Sequence, residues 1–467
     1  MRKGTKKNII HGILIIFMII FALMASLVAA FRDITVQSMI ARSIAGALSK
    51  KLNSDVKIRT FYVTEKLTVC IEDMQVNDLE GYPMFFVGSL DAIFSPTMNF
   101  NDIRVKEVYF KDVLGRLVKY EGGKKLNVKN MIAQLGGGKR DKHDDEGEGL
   151  HLVVDELRLD NGHFIFWNQN KDKPAKFSMD YAHIDIDSIY GVFNNLEIRN
   201  DSVFGDIMAL RGDDKCGLTL DSMSGNVVYC DKSLTIDNLL LNTNESHLDL
   251  DLRFEYERPE CFFKFVDSVK MIGNIRPTTL LLSDLKYFAW VMRKMPDKFD
   301  FTAYYDGYVS DFTVTDFVAG FGTESHIDAD VTFTGLPVFM DTYMDVTIRE
   351  MVSTYDDTRQ FAIPARSVTI PIPEMLSGIG SFSTSGSYQG YARDFRTQFY
   401  LDTEIGDVDA SVYLNTTDNS GYSFNIEANE LNLSSLLGLK EPSEASFRFE
   451  MGGKGFKVKD KIGRAHV

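Results

Sequence analysis

Alternating apolar and charged residues along most of the chain limit what this protein can fold into. In residues 248–257 every second side chain is apolar and each one between is charged, without a slip. Successive side chains of a β-strand point to opposite faces, so this pattern predicts a strand with one dry and one wet face. The same alternation predicts strands at 56–62, 67–76, 105–110, 150–159, 164–167, 177–186, 234–241, 299–305, 327–333, 344–351, 399–405, 408–414 and 422–428.

Short polar turns separate these predicted strands, for example at residues 160–162 and 417–421. Regular short strands joined by tight turns are typical of an antiparallel meander. The sequence therefore predicts a mainly β fold. The tripeptide Arg211-Gly212-Asp213 is expected to be one more such turn.

Residues 9–31 carry no charge and follow a short basic stretch. As a helix they would reach roughly 34 Å, enough for a hydrocarbon core of about 30 Å, and the preceding basic residues predict a cytoplasmic N-terminus. The alternative is a cleaved signal peptide, whose apolar core is normally about 7–15 residues and ends in a small-residue cleavage site. We expect a retained single-pass anchor. Its membrane-facing residues include Ile9, Ile13, Phe17, Phe21, Leu27 and Phe31.

Two helices are predicted within the β pattern. Residues 35–52 carry apolar side chains at helical spacing, and residues 277–295 repeat that spacing and end before Pro296. Between them, residues 136–149 are glycine-rich and charged without any apolar side chain, which predicts a mobile loop.

Charge and cysteine content restrict the function classes. The net charge of −15 argues against a nucleic-acid partner, because phosphate binding needs a basic surface. Four cysteines are too few for a disulfide scaffold. Cys216 and Cys230 could form a disulfide across a hairpin or remain as two unpaired buried thiols. The sequence leaves both alternatives open.

Catalytic and cofactor motifs are missing from the sequence. His143 and the acidic residues around it lie in the glycine-rich stretch, where no defined backbone would make metal ligands converge. There is no phosphate-binding loop, no dinucleotide fingerprint and no nucleophile elbow. We therefore expect neither an enzyme nor a cofactor.

The predicted strands leave a large apolar face to explain. In a sandwich or barrel a second sheet would cover it. In an open sheet it would form a continuous apolar groove, unfavourable in water at roughly 25 cal/mol per Å2 unless acyl chains cover it. Alternation alone does not decide between a closed core and an open groove.

The chain resembles the TamB branch of the AsmA-like proteins. After the uncharged segment come Thr35-Val36-Gln37-Ser38 and Ala47-Leu48-Ser49, and then the strand-like runs 67–78 and 103–110. Asn127 lies in the run that resembles the asparagine-containing end of the family's first module. Further matches are residues 234–246, Ser283-Asp284-Leu285 and Thr334-Gly335-Leu336.

This resemblance covers about residues 6–460 and implies a fold and a location. The fold is mainly β: an N-terminal transmembrane helix followed by a long, curved, antiparallel β sheet (a β-taco groove) with a few short helices. The implied location is the inner membrane of a two-membrane envelope, with the bulk of the protein in the periplasm. The expected parts are a cytoplasmic tail (1–8), the transmembrane helix (9–31), an N-terminal module (32–135), a flexible loop (136–149) and an elongated β-groove region (150–460).

The resemblance also implies a function without catalytic residues. Phospholipid would move along the groove toward the outer membrane. The alternative is a scaffold or chaperone for outer-membrane protein assembly, with an outer-membrane barrel of the Omp85 (TamA) type as partner. The groove residues expected to solvate acyl chains are Leu248, Leu250, Leu252, Phe254, Ile327, Val331, Phe333, Phe399, Leu401, Val412, Leu414, Phe424 and Ile426.

The chain departs from the family at its C-terminus. The family's C-terminal module, which meets the outer-membrane partner, is not found. Residues 461–467 show no strand alternation and resemble the translation of a sequencing adapter, so we expect them to be an artefact.

Overall fold

A computed structural model describes residues 34–52, 54–64, 68–95, 102–128, 151–171, 179–199, 202–287, 290–361, 369, 372–417, 420–437, 443–455 and 461–466. The predicted anchor at 9–31, with its six named residues, and the predicted loop at 136–149 lie outside these ranges. Within them no helix is both long and apolar enough to cross a membrane. The chain divides into two compact units, Met1–Asn244 and Glu245–Val467.

The described residues of the first unit form one helix and nine strands. Its elements are α1 (Ile34–Leu52), β1 (Val56–Val63), β2 (Thr68–Asn77), β3 (Pro83–Phe94), β4 (Asp102–Lys119), β5 (His151–Asn168), β6 (His183–Arg199), β7 (Ser202–Asp214), β8 (Thr219–Cys230) and β9 (Ser233–Thr243). Each strand pairs with the next along the chain. The β4–β5 pair is parallel, and the other pairs are antiparallel.

Helix α1 confirms the helix predicted at 35–52 and covers the start of this sheet. Its buried side chains Ala41, Ile44 and Ala45 pack in one apolar cluster with residues of β1–β5 such as Phe61. Two polar contacts fix the helix on β1, and in one of them Ser49 Oγ accepts a 2.9 Å hydrogen bond from the Val56 N–H. Gln37 Oε1 accepts a 2.7 Å hydrogen bond from the Val63 N–H.

The β4–β5 pair corrects the expectation of a purely antiparallel sheet. Ile103 lies opposite Leu152 and Val118 opposite Trp167, in parallel register. Parallel neighbours need a longer connection than a hairpin turn, and residues 120–150 separate β4 from β5 along the chain. Asn127 in this connection is buried, and its Oδ1 accepts a 3.0 Å hydrogen bond from the Val118 N–H.

The described residues of the second unit form twelve strands and several short helices. Its strands are β10 (His247–Glu255), β11 (Lys270–Leu281), β12 (Lys298–Tyr308), β13 (Asp311–Phe321), β14 (Ser325–Thr334), β15 (Tyr343–Thr354), β16 (Ser381–Tyr391), β17 (Asp394–Thr403), β18 (Gly406–Asn415), β19 (Gly421–Asn432), β20 (Glu444–Lys454) and β21 (Lys461–His466). Its helices are α2 (Phe265–Ser268), α3 (Tyr355–Gln360) and α4 (Leu433–Leu437), with 3₁₀ turns at Pro259–Lys264, Leu282–Tyr287, Trp290–Lys294, Phe339–Asp341 and Glu374–Ile379.

These twelve strands form an open antiparallel meander. Each pairs with its successor from β10 to β21, and no ladder among the described residues joins β21 back to β10. The mainly β fold is thus confirmed, and in this unit the open sheet replaces the closed alternative.

The helix predicted at 277–295 is wrong in its first part. Strand β11 continues to Leu281, and 3₁₀ turns follow. Pro277 lies at a register shift between Ile275 and Thr278. Its missing N–H group therefore does not remove a hydrogen bond from the strand ladder. The helical spacing of the leucines is misleading because strand β11 ends among these residues and a 3₁₀ turn begins there.

Two predicted turns lie inside strands. Asn161 adopts φ 55° within β5, at a bulge that lets the strand run on through 160–162. Gly212 and Asp213 pair with Leu220 and Thr219, so the Arg-Gly-Asp tripeptide is part of β7.

Alternation misses several strands altogether. The strands without a prediction are β3, β7, β8, β11, β13, β16, β20 and β21. The last of these occupies residues 461–466, where no strand pattern is present. Its backbone pairs with β20 from Arg448 to Gly453.

Cys216 and Cys230 form no disulfide. Cys216 precedes β8 and Cys230 is the last residue of that strand, so the length of β8, roughly 36 Å at about 3.3 Å per residue, separates them. They therefore do not face each other across a hairpin.

Candidate functional site: the apolar face of the second unit

The register of β10–β20 carries one uncharged row across eleven strands. Residues directly opposite each other in an antiparallel ladder share a face of the sheet. Starting at Leu252, the ladder partner of each residue leads to the next strand, and none of these residues is charged. The row is Leu252, Gly273, Tyr305, Val314, Val331, Val346, Tyr388, Thr397, Val412, Phe424 and Met451.

Three further rows lie beside it on the same face. We call the four rows together the apolar face. The second row is Phe254, Met271, Gly307, Phe312, Phe333, Met344, Gly390, Phe395, Leu414, Tyr422 and Gly453. The third includes Leu250, Ile275, Ala303, Phe317, Ala329, Ile348, Gly386, Phe399, Ala410, Ile426 and Phe449, and the fourth Ala319, Ile327, Met351, Thr384, Leu401, Val408, Ala428 and Phe447.

All thirteen groove residues expected from the sequence lie on this face. Twelve of them stand in the four rows, and Leu248 shares the face with Leu250 two residues along β10. The sequence missed the contributions of β11, β13, β16 and β20. The alternation of Phe312 with Val314 in β13 was a readable signal, whereas β16 largely alternates serine with threonine or glycine, which differ little in polarity.

Most large side chains of the apolar face are half-buried rather than packed in a core, and Tyr422 is the buried exception. None of the thirteen is buried, while small residues between them such as Ala329 and Ala410 are. The described residues of this unit contain one buried apolar cluster, centred on Ile405, Ala428 and Leu431. No second layer of strands among the described residues of this unit covers the face.

Short helices cover the two margins of the face, at opposite ends of the strands. At one margin Phe361, directly after α3, packs edge-on against Phe299 at 5.8 Å. At the other, Phe262 and Phe265 contact Phe254 with ring centroids 5.9 and 5.8 Å apart. The middle rows lie between these margins.

A stacked aromatic pair lies beside a glycine of the second row. The rings of Tyr305 and Phe312 stack at 4.8 Å, beside Gly307. Burial raises the pKa of Tyr305, with the charge of Asp306 as a smaller cause, so its hydroxyl is neutral at physiological pH. Both residues therefore present an uncharged surface.

The opposite face is charged, and arginines on it form ion pairs with aspartates of the neighbouring strand. The Arg276 guanidinium contacts Asp249 at 2.7 Å and Asp251 at 2.6 Å. Arg349 contacts Asp328 at 2.8 Å and also pairs with Asp330. Hydrogen bonds from Arg349 lower the pKa of Asp328. Water is thus the natural surrounding of this face.

The described residues contain no group of three or more histidine, cysteine or acidic side chains placed to hold a metal ion. No protein-family model, curated protein or solved structure matches the chain.

Proposed function

We propose that the chain is a TamB-like protein of the AsmA-like superfamily that carries phospholipid along the apolar face, with the acyl chains on that face and the headgroups in water. The observation that carries the proposal is the uncharged, half-exposed row from Leu252 to Met451. Ten strand-to-strand steps of about 4.8 Å give this row a length of roughly 48 Å.

The size of the face supports a ligand over plain solvent exposure. Four rows spaced about 7 Å apart along the strands give a footprint on the order of 1,000 Å2. Contiguous apolar patches on soluble monomers rarely exceed a few hundred Å2, and larger ones mark binding surfaces. Acyl chains fit it because its polar groups are few and uncharged.

In this proposal the remaining parts have supporting roles. Residues 9–31 hold the protein in the inner membrane, the strands work in the periplasm, and no chemical step is catalysed. Delivery to an outer-membrane barrel of the Omp85 type, and the curved taco shape of the sheet, belong to the same proposal.

A photoreactive side chain tests which molecule occupies the face. Benzoylphenylalanine at Leu252 of the full chain, in cells, should crosslink to phospholipid. At Arg253, one residue along the strand and on the charged face, it should not. Recovery of polypeptide at Leu252 would favour the scaffold for outer-membrane protein assembly, and no adduct at either position would overturn both.

A charge on the face should block transport without unfolding the sheet. Val331→Asp places a carboxylate in the central row, and Thr332→Asp places the same group on the wet side of the same strand. We expect outer-membrane lipid supply to fail in the first variant and to persist in the second. Normal outer-membrane lipid supply in the Val331→Asp variant would contradict the proposed lipid transport along the apolar face.

A further inference from the structure

A ten-residue sequence repeats within the second unit. Residues 245–254 and 324–333 share six of ten residues, in the order Glu-Ser-His-x-Asp-x-Asp-x-x-Phe. They begin the equivalent strands β10 and β14. Val408, Asp409, Ala410 and Val412 of β18 continue the same alternation.

The charged face repeats its contacts at the same positions. Arg276 bridges the two aspartates of the first copy, and Arg349 bridges the two of the second. Each arginine directly follows an isoleucine that lies on the apolar face, Ile275 and Ile348.

A buried serine–aspartate pair repeats as well. Ser246 Oγ donates a 2.7 Å hydrogen bond to Asp284, and Ser325 Oγ donates a 2.8 Å bond to Asp357. Each aspartate lies eight residues after the arginine of its own copy. In the third copy Gly406 takes the serine position and Ser435 the aspartate position.

Two hairpins of the unit are copies of each other. Residues 305–312 and 388–395 share five of eight residues, in the order Tyr-x-Gly-Tyr-x-x-Asp-Phe. Their aromatic pairs stack alike, at 4.8 and 4.9 Å with 25° between the rings. The glycines adopt φ 144° and 136°.

These repeats define a four-stranded module. Strands β12–β15 with α3 form one copy and β16–β19 with α4 the next. Strands β10–β11 are the second half of a preceding copy, and β20 begins a following one. Equivalent positions on the apolar face are Leu252, Val331 and Val412; Phe254, Phe333 and Leu414; Ile275, Ile348 and Ile426; Gly307, Gly390 and Gly453.

We infer that the apolar face is an array of equivalent acyl-chain seats, one per four-stranded module of about 19 Å, so that bound phospholipid scales with module number. The inference rests on the proposed lipid function and deepens it. Equivalent seats follow because each module presents the same apolar columns. No row carries a charge that would select one headgroup at one place.

Removing or doubling one module tests the array. Deletion of residues 276–348 joins Ile275 to Arg349. The chimeric strand keeps the pairing of β10 with Ile275, gives Asp249 and Asp251 their arginine, and places Asp357 at Ser246. A second variant duplicates the same segment. Phospholipid bound per full chain is counted by native mass spectrometry after purification from membranes.

We expect equal and opposite steps in bound lipid from the two variants. A folded deletion variant that binds no lipid would mean one indivisible site, and unchanged counts in both variants would place the lipid elsewhere. Either result overturns the array. Absence of lipid from the unaltered chain would instead overturn the proposed function.

Substitutions in one column test the array if the deletion variant does not fold. Leu252→Asp, Val331→Asp and Val412→Asp should each remove the same amount of lipid, and pairs of them should add. Thr332→Asp on the charged face is the control and should leave the count unchanged. Complete loss from one substitution with no effect of the other two would contradict equivalent seats.

Discussion

The hydroxyl of Ser325 donates a 2.8 Å hydrogen bond to Oδ2 of Asp357, and both side chains are buried. The same carboxylate accepts bonds from the backbone N–H groups of Thr323 at 3.0 Å and Glu324 at 3.1 Å. Asp357 therefore ties helix α3 to the β13–β14 turn. An aspartate suits the position because every group facing it is a donor.

Replacing this carboxylate should destabilise the unit at neutral pH. Asp357→Asn turns an amide NH2 toward N–H donors, and leaving them unpaired costs about 1–3 kcal/mol. Urea melts at pH 7 should show the loss. Asp356→Asn, at the exposed neighbour, should leave the midpoint unchanged.

The same pair gives a pH dependence with a definite sign. Burial alone would raise the pKa of Asp357, but hydrogen bonds from Glu324, Ser325 and Thr323 outweigh it and lower the pKa below its ordinary value of 3.8. A lowered folded-state pKa stabilises above the unfolded pKa, and that stability is lost as the pH falls through the folded value. Acid should therefore narrow the difference between wild type and Asp357→Asn. A constant difference from pH 7 to pH 3 would contradict this account.

Replacing Asn127 should destabilise the first unit as much as replacing Asp357 destabilises the second. Its Oδ1 accepts from the Val118 and Val128 N–H groups, and its Nδ2 donates to Asp78 and to the Arg116 carbonyl, at 2.9–3.1 Å. Asn127→Ala leaves these groups unpaired and should cost about 1–3 kcal/mol in a urea melt. Asn127→Asp keeps the shape but sets a second carboxylate against Asp78, so its loss should shrink in acid. An alanine variant as stable as wild type would show that water replaces the amide.

Two glycine substitutions should have opposite effects. A Cβ on Gly390, at φ 136°, would lie 2.3 Å from the Asp394 carbonyl oxygen and 2.6 Å from Phe395 Cα. Gly390→Ala should therefore lower the melting temperature of the second unit. Gly46 lies exposed in α1 with open space around it, and Gly46→Ala should stabilise by about 0.5–1 kcal/mol. Equal effects at both sites would contradict the close approach of β16 and β17.

Strands with charged residues between apolar ones could be predicted from the sequence, and strands with small polar residues could not. Strand β10 alternates leucine with aspartate, so its faces are evident before pairing. Strand β16 alternates serine and threonine or glycine, and only its register with Val346 and Ile348 assigns Tyr388 and Gly386 to the apolar face. In β16 the pairing with the neighbouring strand, and not side-chain polarity, shows which residues lie on the apolar face.

Local turn preference misleads where a sheet absorbs a left-handed residue. Asp160-Asn161-Gly162 favours a turn on local grounds. In the structure Asn161 lies across from Asp112, which also has positive φ, and β4 and β5 kink together. The information for that kink is in the partner strand. The common face of the thirteen residues could be predicted because polar or charged side chains alternate with apolar ones in β10, β14, β17, β18 and β19.

The number of strands in each module has a consequence for how such a sheet can change in length. An antiparallel chain returns to the same edge after every two strands, and α3 and α4 follow β15 and β19 on one edge. Gain or loss of four strands therefore leaves each helix beside the margin it covers. Gain of a single strand would transfer every later helix to the opposite edge. The sheet can therefore gain or lose strands only in even numbers if each helix is to stay beside the margin that it covers.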